Sequence, residues 1–330
     1  MNDLKKYIPN IIISLGLIGL LLAVIDPRQT MDAIRHANRT ALILAAILGF
    51  LWLLVRMMVW NTLLGGNVSK RDTFFTMMEG YLLNNTLPFR MGEFGRAFFL
   101  SQKTSLGFLQ VLSTIIIERA GDLGFSALIL ILSLPFLEGL NIGYQVGMLA
   151  LIGIIIFFWF LYWIALNPDK MLRIVKKIFS PIPKVEILIE KAAGKILPGL
   201  SVLKDPSAFL RFILWMTINW GIAIVQYWLL VKAYFPDAKL IWGMFTLGVA
   251  AFGGAIPSLP GGVGTLEGAM TGAIAFFTND FSGALAVPLT LRLINYFYSG
   301  VFGFYALSKE NTSLTGVYQQ LKSKIASLRN

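Results

Sequence analysis

The chain has no cysteine and one histidine, His36. The first absence excludes disulfides, thiol chemistry and cysteine metal sites, and leaves the compartment open. The second excludes a histidine-built zinc centre: no His-Glu-x-x-His is present, and one imidazole cannot fill a coordination shell. His36 lies between the polar residues Arg35 and Asn38 and reads as a solvated loop residue. No Gly-x-Ser-x-Gly elbow occurs, and no histidine base is placed to activate a serine. An aspartyl intramembrane protease needs two aspartates at membrane depth, and only Asp122 is a clear one. Neither a metal nor a cofactor is expected. A lipid transferase or hydrolase driven by Glu93, Glu118 or Asp122 stays open.

Charge is scarce too. Only 14% of the 330 residues are charged, while 56% are hydrophobic and the mean hydropathy is +0.72. A soluble core cannot absorb that much apolar surface, so the chain reads as a polytopic membrane protein. The net charge is +11. In a soluble protein this would suggest nucleic acid. Here the basic residues flank apolar runs, so the expected partners are membrane lipids at an anionic surface, not nucleic acid.

Apolar runs at 8–25, 41–61, 143–166, 208–230 and 282–307 are each long enough to cross a hydrocarbon core of roughly 30 Å as a helix. The first follows Lys5 and Lys6 like a signal peptide. Asp26-Pro27-Arg28 stands where a small-residue cleavage site would be, which favours an uncleaved anchor. The run 105–137 holds Glu118-Arg119-Ala120-Gly121-Asp122 in its middle and reads as one long tilted helix or two shorter ones. The basic connection 167–207 and the tail from Lys309 to Arg329 should be cytoplasmic by the positive-inside rule. Arg28, Arg35 and Arg39 in the loop 26–40 are a mild conflict with that orientation. In 170–179, and again between Val317 and Leu328, apolar residues recur at helical spacing. These read as helices lying in the inner interface, the second alternatively as a fraying tail.

Two proline–glycine breaks interrupt the remaining apolar sequence. One is Leu87-Pro88-Phe89-Arg90-Met91-Gly92-Glu93. The other is Pro257-Ser258-Leu259-Pro260-Gly261-Gly262-Val263-Gly264. Segments 73–86 and 91–102 flank the first, and 241–256 and 265–279 flank the second; each is too short to span singly. Each pair reads as a re-entrant hairpin, or alternatively as one kinked spanning helix. A helix with a central arginine follows each break: Arg119 is 31 residues after Pro88, and Arg292 is 35 after Pro257. Broken apolar segments at matching places in two halves point to a transporter-type site. The re-entrant reading gives an all-α integral membrane protein of about six spanning helices plus two hairpins. Its halves, about 41–137 and 208–307, would be inverted repeats within one domain, 1–310, followed by a basic cytoplasmic tail, 311–330.

The charges at membrane depth are the candidate site. Each costs about 2.5–3.5 kcal/mol to insert, so each must pair or line water. Arg90, Glu93, Arg96, Glu118, Arg119 and Asp122 sum to zero charge, which suits a zwitterionic or lipid head group better than a bare ion. Spacings of three allow Glu93–Arg96 and Arg119–Asp122 pairs on one helix face, and Glu118 and Asp122 also share a face. Glu267 and Arg292 can neutralise each other. Arg56, a turn from the end of its span, reads as a snorkelling side chain. Glu79 is ambiguous. Asn84, Asn85 and Thr86 offer neutral polar contacts. Gly261, Gly262 and Gly264 allow a sharp turn, and amides of a helix starting near Thr265 would face the break as a phosphate or carboxylate site. The bland alternative is that all these pairs only pin helices together.

Two stretches carry a likeness. Asn84-Asn85-Thr86-Leu87-Pro88-Phe89-Arg90-Met91-Gly92-Glu93 with Arg96, then Glu118-Arg119-Ala120-Gly121-Asp122, resembles the lysylphosphatidylglycerol synthase transmembrane family. Pro257 through Glu267 is similar to that family's second signature. The resemblance covers roughly 5–310 and implies the flippase-like membrane domain of multiple peptide resistance factors, which moves aminoacylated phosphatidylglycerol between leaflets. It gives Arg90, Gly92, Glu93, Arg96, Glu118, Arg119, Asp122, Pro257, Gly261, Gly262, Glu267 and Arg292 a role along the lipid pathway. Those factors also carry a soluble synthase domain. This chain ends about 23 residues after its last apolar run, so synthase activity is not expected. The expectation is a lipid flippase of the plasma (inner) membrane with both termini cytoplasmic, acting on an anionic or zwitterionic lipid. Alternatives are a membrane enzyme on a lipid-linked substrate or a regulatory or assembly subunit; a homo-oligomer is compatible with either.

Overall fold

The computed structural model describes residues 26–66, 68–86, 91–137, 144–179, 201–256 and 260–310. The apolar run 8–25, the tail from 311, and the break residues Leu87 to Arg90 and Pro257 to Leu259 lie outside the described residues. So do two expected site residues, Arg90 and Pro257. Every described element is helical, and no strand occurs among the described residues.

In chain order the helices are α1 (Pro27–His36), α2 (Arg39–Leu63), α3 (Lys70–Thr86), α4 (Met91–Lys103), α5 (Phe108–Ser133), α6 (Tyr144–Leu166), α7 (Pro168–Phe179), α8 (Pro206–Tyr234), α9 (Leu240–Ala255), α10 (Thr265–Thr278) and α11 (Phe281–Lys309). Several starts are written locally. Asp26, Asn38, Asp205 and Asp280 each accept a backbone N–H of the first turn, and Pro27 and Pro206 occupy first positions where no N–H is needed. Of the alternatives for 105–137, one long α-helix, α5, is found, with a 3-10 turn at Leu134–Phe136 after it. One expectation shifts. The loop 26–40 contains α1, and His36 is its exposed last residue, with ring Nδ1 2.8 Å from the Asp32 carbonyl.

α2, α6 and α8 are long and apolar enough to cross a membrane. On α6 most side chains face outward as bare hydrocarbon, among them Leu149, Ile152, Ile155 and Trp159. A helix that is apolar all round and has little protein cover belongs against lipid.

The interior is built where helices cross. α2 packs along α8, α3 against α11, and α9 against α5. Trp60, Met77, Leu83, Phe99 and Ile115 form one core cluster, Phe212, Met216 and Leu247 belong to a second, and Met270, Ile274 and Leu291 belong to a third. Lipid tails are as apolar as leucine, so helices associate there by close packing of small residues and by polar contacts. α3 and α4 form such a close antiparallel pair, hairpin 1. A Cβ on Gly92 would stand 1.9 Å from the Gly80 carbonyl oxygen. α9 and α10 form hairpin 2, with Gly253 against Ala269 near the tip and Trp242 stacked on Phe277 at the base.

Contacts sort the helix ends onto two faces. The Asn38 N–H donates to the Ala233 carbonyl (2.8 Å) and the Asp26 N–H to Ser282 Oγ (2.9 Å), which brings together the starts of α2 and α11 and the end of α8. On the other side Leu63, Ala165 and Leu203 share a core cluster, and Lys103 pairs with Glu310. That gathers the ends of α2, α4, α6 and α11 with the start of α8.

Candidate functional site

The centre of the molecule is a closed ring of six charges in which sign alternates. α5 supplies Glu118, Arg119 and Asp122, beginning 10 residues (about 15 Å) from its start, near its middle. α4 supplies Glu93 and Arg96. α2 crosses behind them and inserts Arg56. Arg56 chelates Asp122 through both terminal nitrogens (2.6 and 2.5 Å) and also reaches Glu118 Oε1 (2.5 Å). Arg96 Nη2 donates to Glu118 Oε2 at 2.8 Å, and Arg96 Nη1 lies 3.5 Å from Glu93 Oε2. Arg119 closes the ring, with Nη2 2.7 Å from Glu93 Oε1 and Nη1 donating to Asp122 Oδ2 at 3.0 Å.

The two sides of this ring differ. Arg56 is 1% exposed and Glu118 0%, whereas the side chain of Arg119 is 37% exposed. On the dry side Trp60 lies flat against Arg96, 4.0 Å from ring centroid to guanidinium carbon, and its indole N–H donates to Thr114 Oγ1 at 3.0 Å. The expectation that Arg56 snorkels is therefore corrected. It turns inward because two carboxylates on α5 offer compensation that the interface would otherwise have had to supply.

Asn84 holds the tip of hairpin 1. Its Oδ1 accepts the Gly92 N–H at 2.8 Å, and its Nδ2 lies 3.5 Å from Glu93 Oε1. Asn85 donates to Ser299 Oγ on α11 at 2.9 Å. Thr86 turns back to the Leu82 carbonyl (2.9 Å).

The second cluster sits at the tip of hairpin 2. Gly261, Gly262 and Gly264 have φ of 72°, 72° and 89°. At Gly261 the turn is also crowded: an added Cβ would stand 3.0 Å from Arg292 Nη1. Arg292 pairs through Nε with Glu267, and Nη1 donates to the Gly261 carbonyl (3.0 Å) and to Tyr296 Oη (2.8 Å). Glu267 Oε2 accepts the Gly264 N–H at 2.9 Å. This corrects the expected anion site at the start of α10. The helix's own third residue, Glu267, takes the amide that a phosphate would have used.

A cavity of about 470 Å³ opens beside the ring. Arg56, Arg119 and Asp122 form its charged wall. Asn219, Gln226 and Asn295 add amides, and Trp52, Trp220 and Tyr227 add aromatic faces. Asn219 Oδ1 and Trp220 Nε1 are buried without a hydrogen-bond partner. A smaller cavity of about 170 Å³ shares Trp52 and Asn295 and reaches Asn84 and Asn85. The two central arginines differ: Arg119 lines this cavity, whereas Arg292 and Glu267 do not. The sequence reading also passed over Trp52, Asn219, Gln226, Tyr296 and Asn295. Their one sequence signal is a polar side chain inside an apolar run, as at Asn219, Gln226 and Asn295. No group of three or more metal-ligating side chains occurs among the described residues.

Comparison with known proteins finds membrane proteins similar along most of the chain. The chain is 27% identical to a UPF0104 membrane protein of Pyrococcus horikoshii, covering 91% of this chain and 96% of that one. It is 23% identical to a UPF0104 membrane protein of Methanothermobacter thermautotrophicus (94% and 98%) and 25% identical to one of Methanocaldococcus jannaschii (90% and 93%). No solved structure matches the chain. The model for the lysylphosphatidylglycerol synthase TM region matches residues 9–303, and the chain is a membrane protein belonging to that family.

Proposed function

We propose that this protein is a lipid flippase that moves a phospholipid or lipid-linked head group between leaflets through the cavity beside the charge ring. The observation that carries this is the asymmetry of the ring. Three arginines and three carboxylates match charge for charge, yet one edge of the ring, Arg119 and Asp122 with Arg56, borders an open cavity. Purely structural pairing would be served by a ring closed on all sides. A neutral ring has no free cation for a bare anion. It favours a head group with charges of both signs, whose phosphate displaces a carboxylate from Arg119 while its cation meets the carboxylate released.

The helix ends support the wider plan. Both ends of hairpin 1 lie near the face that holds the ends of α2 and α11, while hairpin 2 starts and ends near the opposite face. These ends support the reading of two re-entrant hairpins in inverted repeats, with α2, α5, α6, α8 and α11 among about six spans. Each hairpin's first helix packs on the helix that follows the other hairpin, α3 on α11 and α9 on α5, as this reading expects. Rocking of the hairpins about α2 and α8 would open the cavity alternately to the two sides. The basic residues at and after Lys309 support a cytoplasmic α11 terminus in a plasma membrane by the positive-inside rule.

The test is a leaflet-resolved lipid assay in liposomes, comparing zwitterionic, anionic and aminoacylated phospholipids. Arg119→Ala is expected to lower the flip rate at least about tenfold, the effect of about 1.4 kcal/mol on a barrier. Arg292→Ala is expected to act through the collapse of the turn at Gly261. Unchanged flip rates in both variants would refute the proposal. New covalent lipid products detected by mass spectrometry would instead favour a membrane enzyme.

A further inference from the structure

One cluster of ionisable groups lies apart from the ring and its cavity. Glu79, on α3, is 0% exposed. Lys103, the last residue of α4, directs its ammonium at both Glu79 oxygens (3.4 Å each) and at Thr76 Oγ1 (3.2 Å). The same ammonium ion-pairs with Glu310, which caps α11. One lysine thus lies between two carboxylates delivered by separate elements. Lys103 and Glu310 are 25% and 20% exposed, and the cluster borders a cavity of about 480 Å³ that shares no lining residue with the cavity beside the ring.

The charge balance of this cluster is incomplete. Two carboxylates on one ammonium leave one negative charge, and the deepest member, Glu79, is buried at the inner wall of this cavity. The other charged groups facing the cavity are Arg71 and Asp72 on α3 and Lys309 on α11, beside the Tyr305 phenol. Asp72 accepts from Ser69 Oγ (2.6 Å), and Lys309 lies over the Tyr305 ring. Arg71 and Lys309 are exposed, so solvent screens them from Glu79. A buried, uncompensated carboxylate is expensive, and two carboxylates that share a site normally hold one proton between them.

We propose that Glu79, Lys103 and Glu310 form a proton-binding site whose occupancy sets how firmly hairpin 1 is held to the end of α11. With the proton on Glu79, Lys103 is matched by Glu310 alone. When the proton leaves to water through the open cavity, both carboxylates compete for Lys103 and draw α3, α4 and α11 together. The step is a single proton transfer, with no other bond made or broken. It supplies a coupling ion for whatever movement hairpin 1 performs, and it stands whether or not the cargo is a lipid.

Infrared spectroscopy of the full chain in vesicles tests it. A protonated-carboxyl stretching band that disappears as pH is raised is expected, and Glu79→Gln should abolish it. Glu310→Gln, nearer the surface and easier to accommodate, should move the midpoint of that band to lower pH, since one negative charge beside Glu79 is gone. Thermal unfolding should show that both variants are folded. A titrating band with the same amplitude and midpoint in parent, Glu79→Gln and Glu310→Gln would overturn the proposal, as would the absence of any such band in the parent. Loss of flipping with the band intact would count against the transport reading and leave this site standing.

Discussion

Glu118 is the hub of the ring, and its removal gives the sharpest test of how the ring holds the fold. Glu118→Gln keeps the shape of the side chain and deletes one charge. In the parent, Oε1 takes Arg56 at 2.5 Å and Oε2 takes Arg96 at 2.8 Å, all three side chains being buried. The variant leaves three guanidinium groups facing two carboxylates around the ring, with the missing charge in its dry half. Breaking a buried pair from one side costs about 3–5 kcal/mol, a large share of the roughly 5–15 kcal/mol that separates folded from unfolded domains. Adding Arg96→Met should recover much of that loss. The remaining groups then sort into two complete pairs, Arg56 with Asp122 and Arg119 with Glu93, and the methionine keeps a sulfur contact with Trp60. The interaction term should fall at the upper end of the roughly 0.5–3 kcal/mol found for coupled neighbours. Thermal unfolding in one detergent, followed by tryptophan emission, reads all three variants. If Glu118→Gln melts with the parent, or if the double variant is less stable than the single by the full cost of Arg96→Met alone, the ring is not an electrostatic unit and the reasoning fails. The double variant also separates roles: a ring that only pins helices together should tolerate this neutral exchange with activity intact.

Two further predictions concern the hairpin tips. Gly92→Ala puts a methyl 1.9 Å from the Gly80 carbonyl oxygen, so hairpin 1 must part; a loss of about 1–3 kcal/mol is expected in the same unfolding assay, while Gly272→Ala, with nothing within 4 Å, should leave the midpoint unchanged or slightly raised. Gly261→Ala forces an L-residue to φ near 72° and crowds Arg292, so it should cost about 1–2 kcal/mol and lower flipping together with Arg292→Ala; a fully stable, fully active Gly261→Ala would refute the role given to that turn.

Much of this was legible in the chain. The scarcity of charge and the long apolar runs gave the membrane class. Helical periodicity is local, so Glu93 with Arg96 and Arg119 with Asp122 could be paired from a spacing of three. Glu267 and Arg292 could be matched because each is the lone charge of its segment. Arg56 could not. Its neighbours in sequence are all apolar, which describes a snorkelling arginine and a buried one equally well. Only the crossing of α2 over α5, joining residues 66 positions apart, decides between them. The start of α10 misled for a related reason: a free helix N-terminus and one filled by its own third residue differ by a single side-chain rotation.

The sequence by itself determined that this chain is all-helical, that it belongs in a membrane, and that its apolar segments are interrupted at two proline–glycine breaks. Those properties follow from composition and from contacts within one turn of helix. Which charges face one another, which edge of the ring meets open space, and that Arg119 lines the cavity while Arg292 does not were decided by packing alone. Coulomb attraction between groups on different helices depends on distances that no linear pattern contains, and those distances exist only once the helices have crossed.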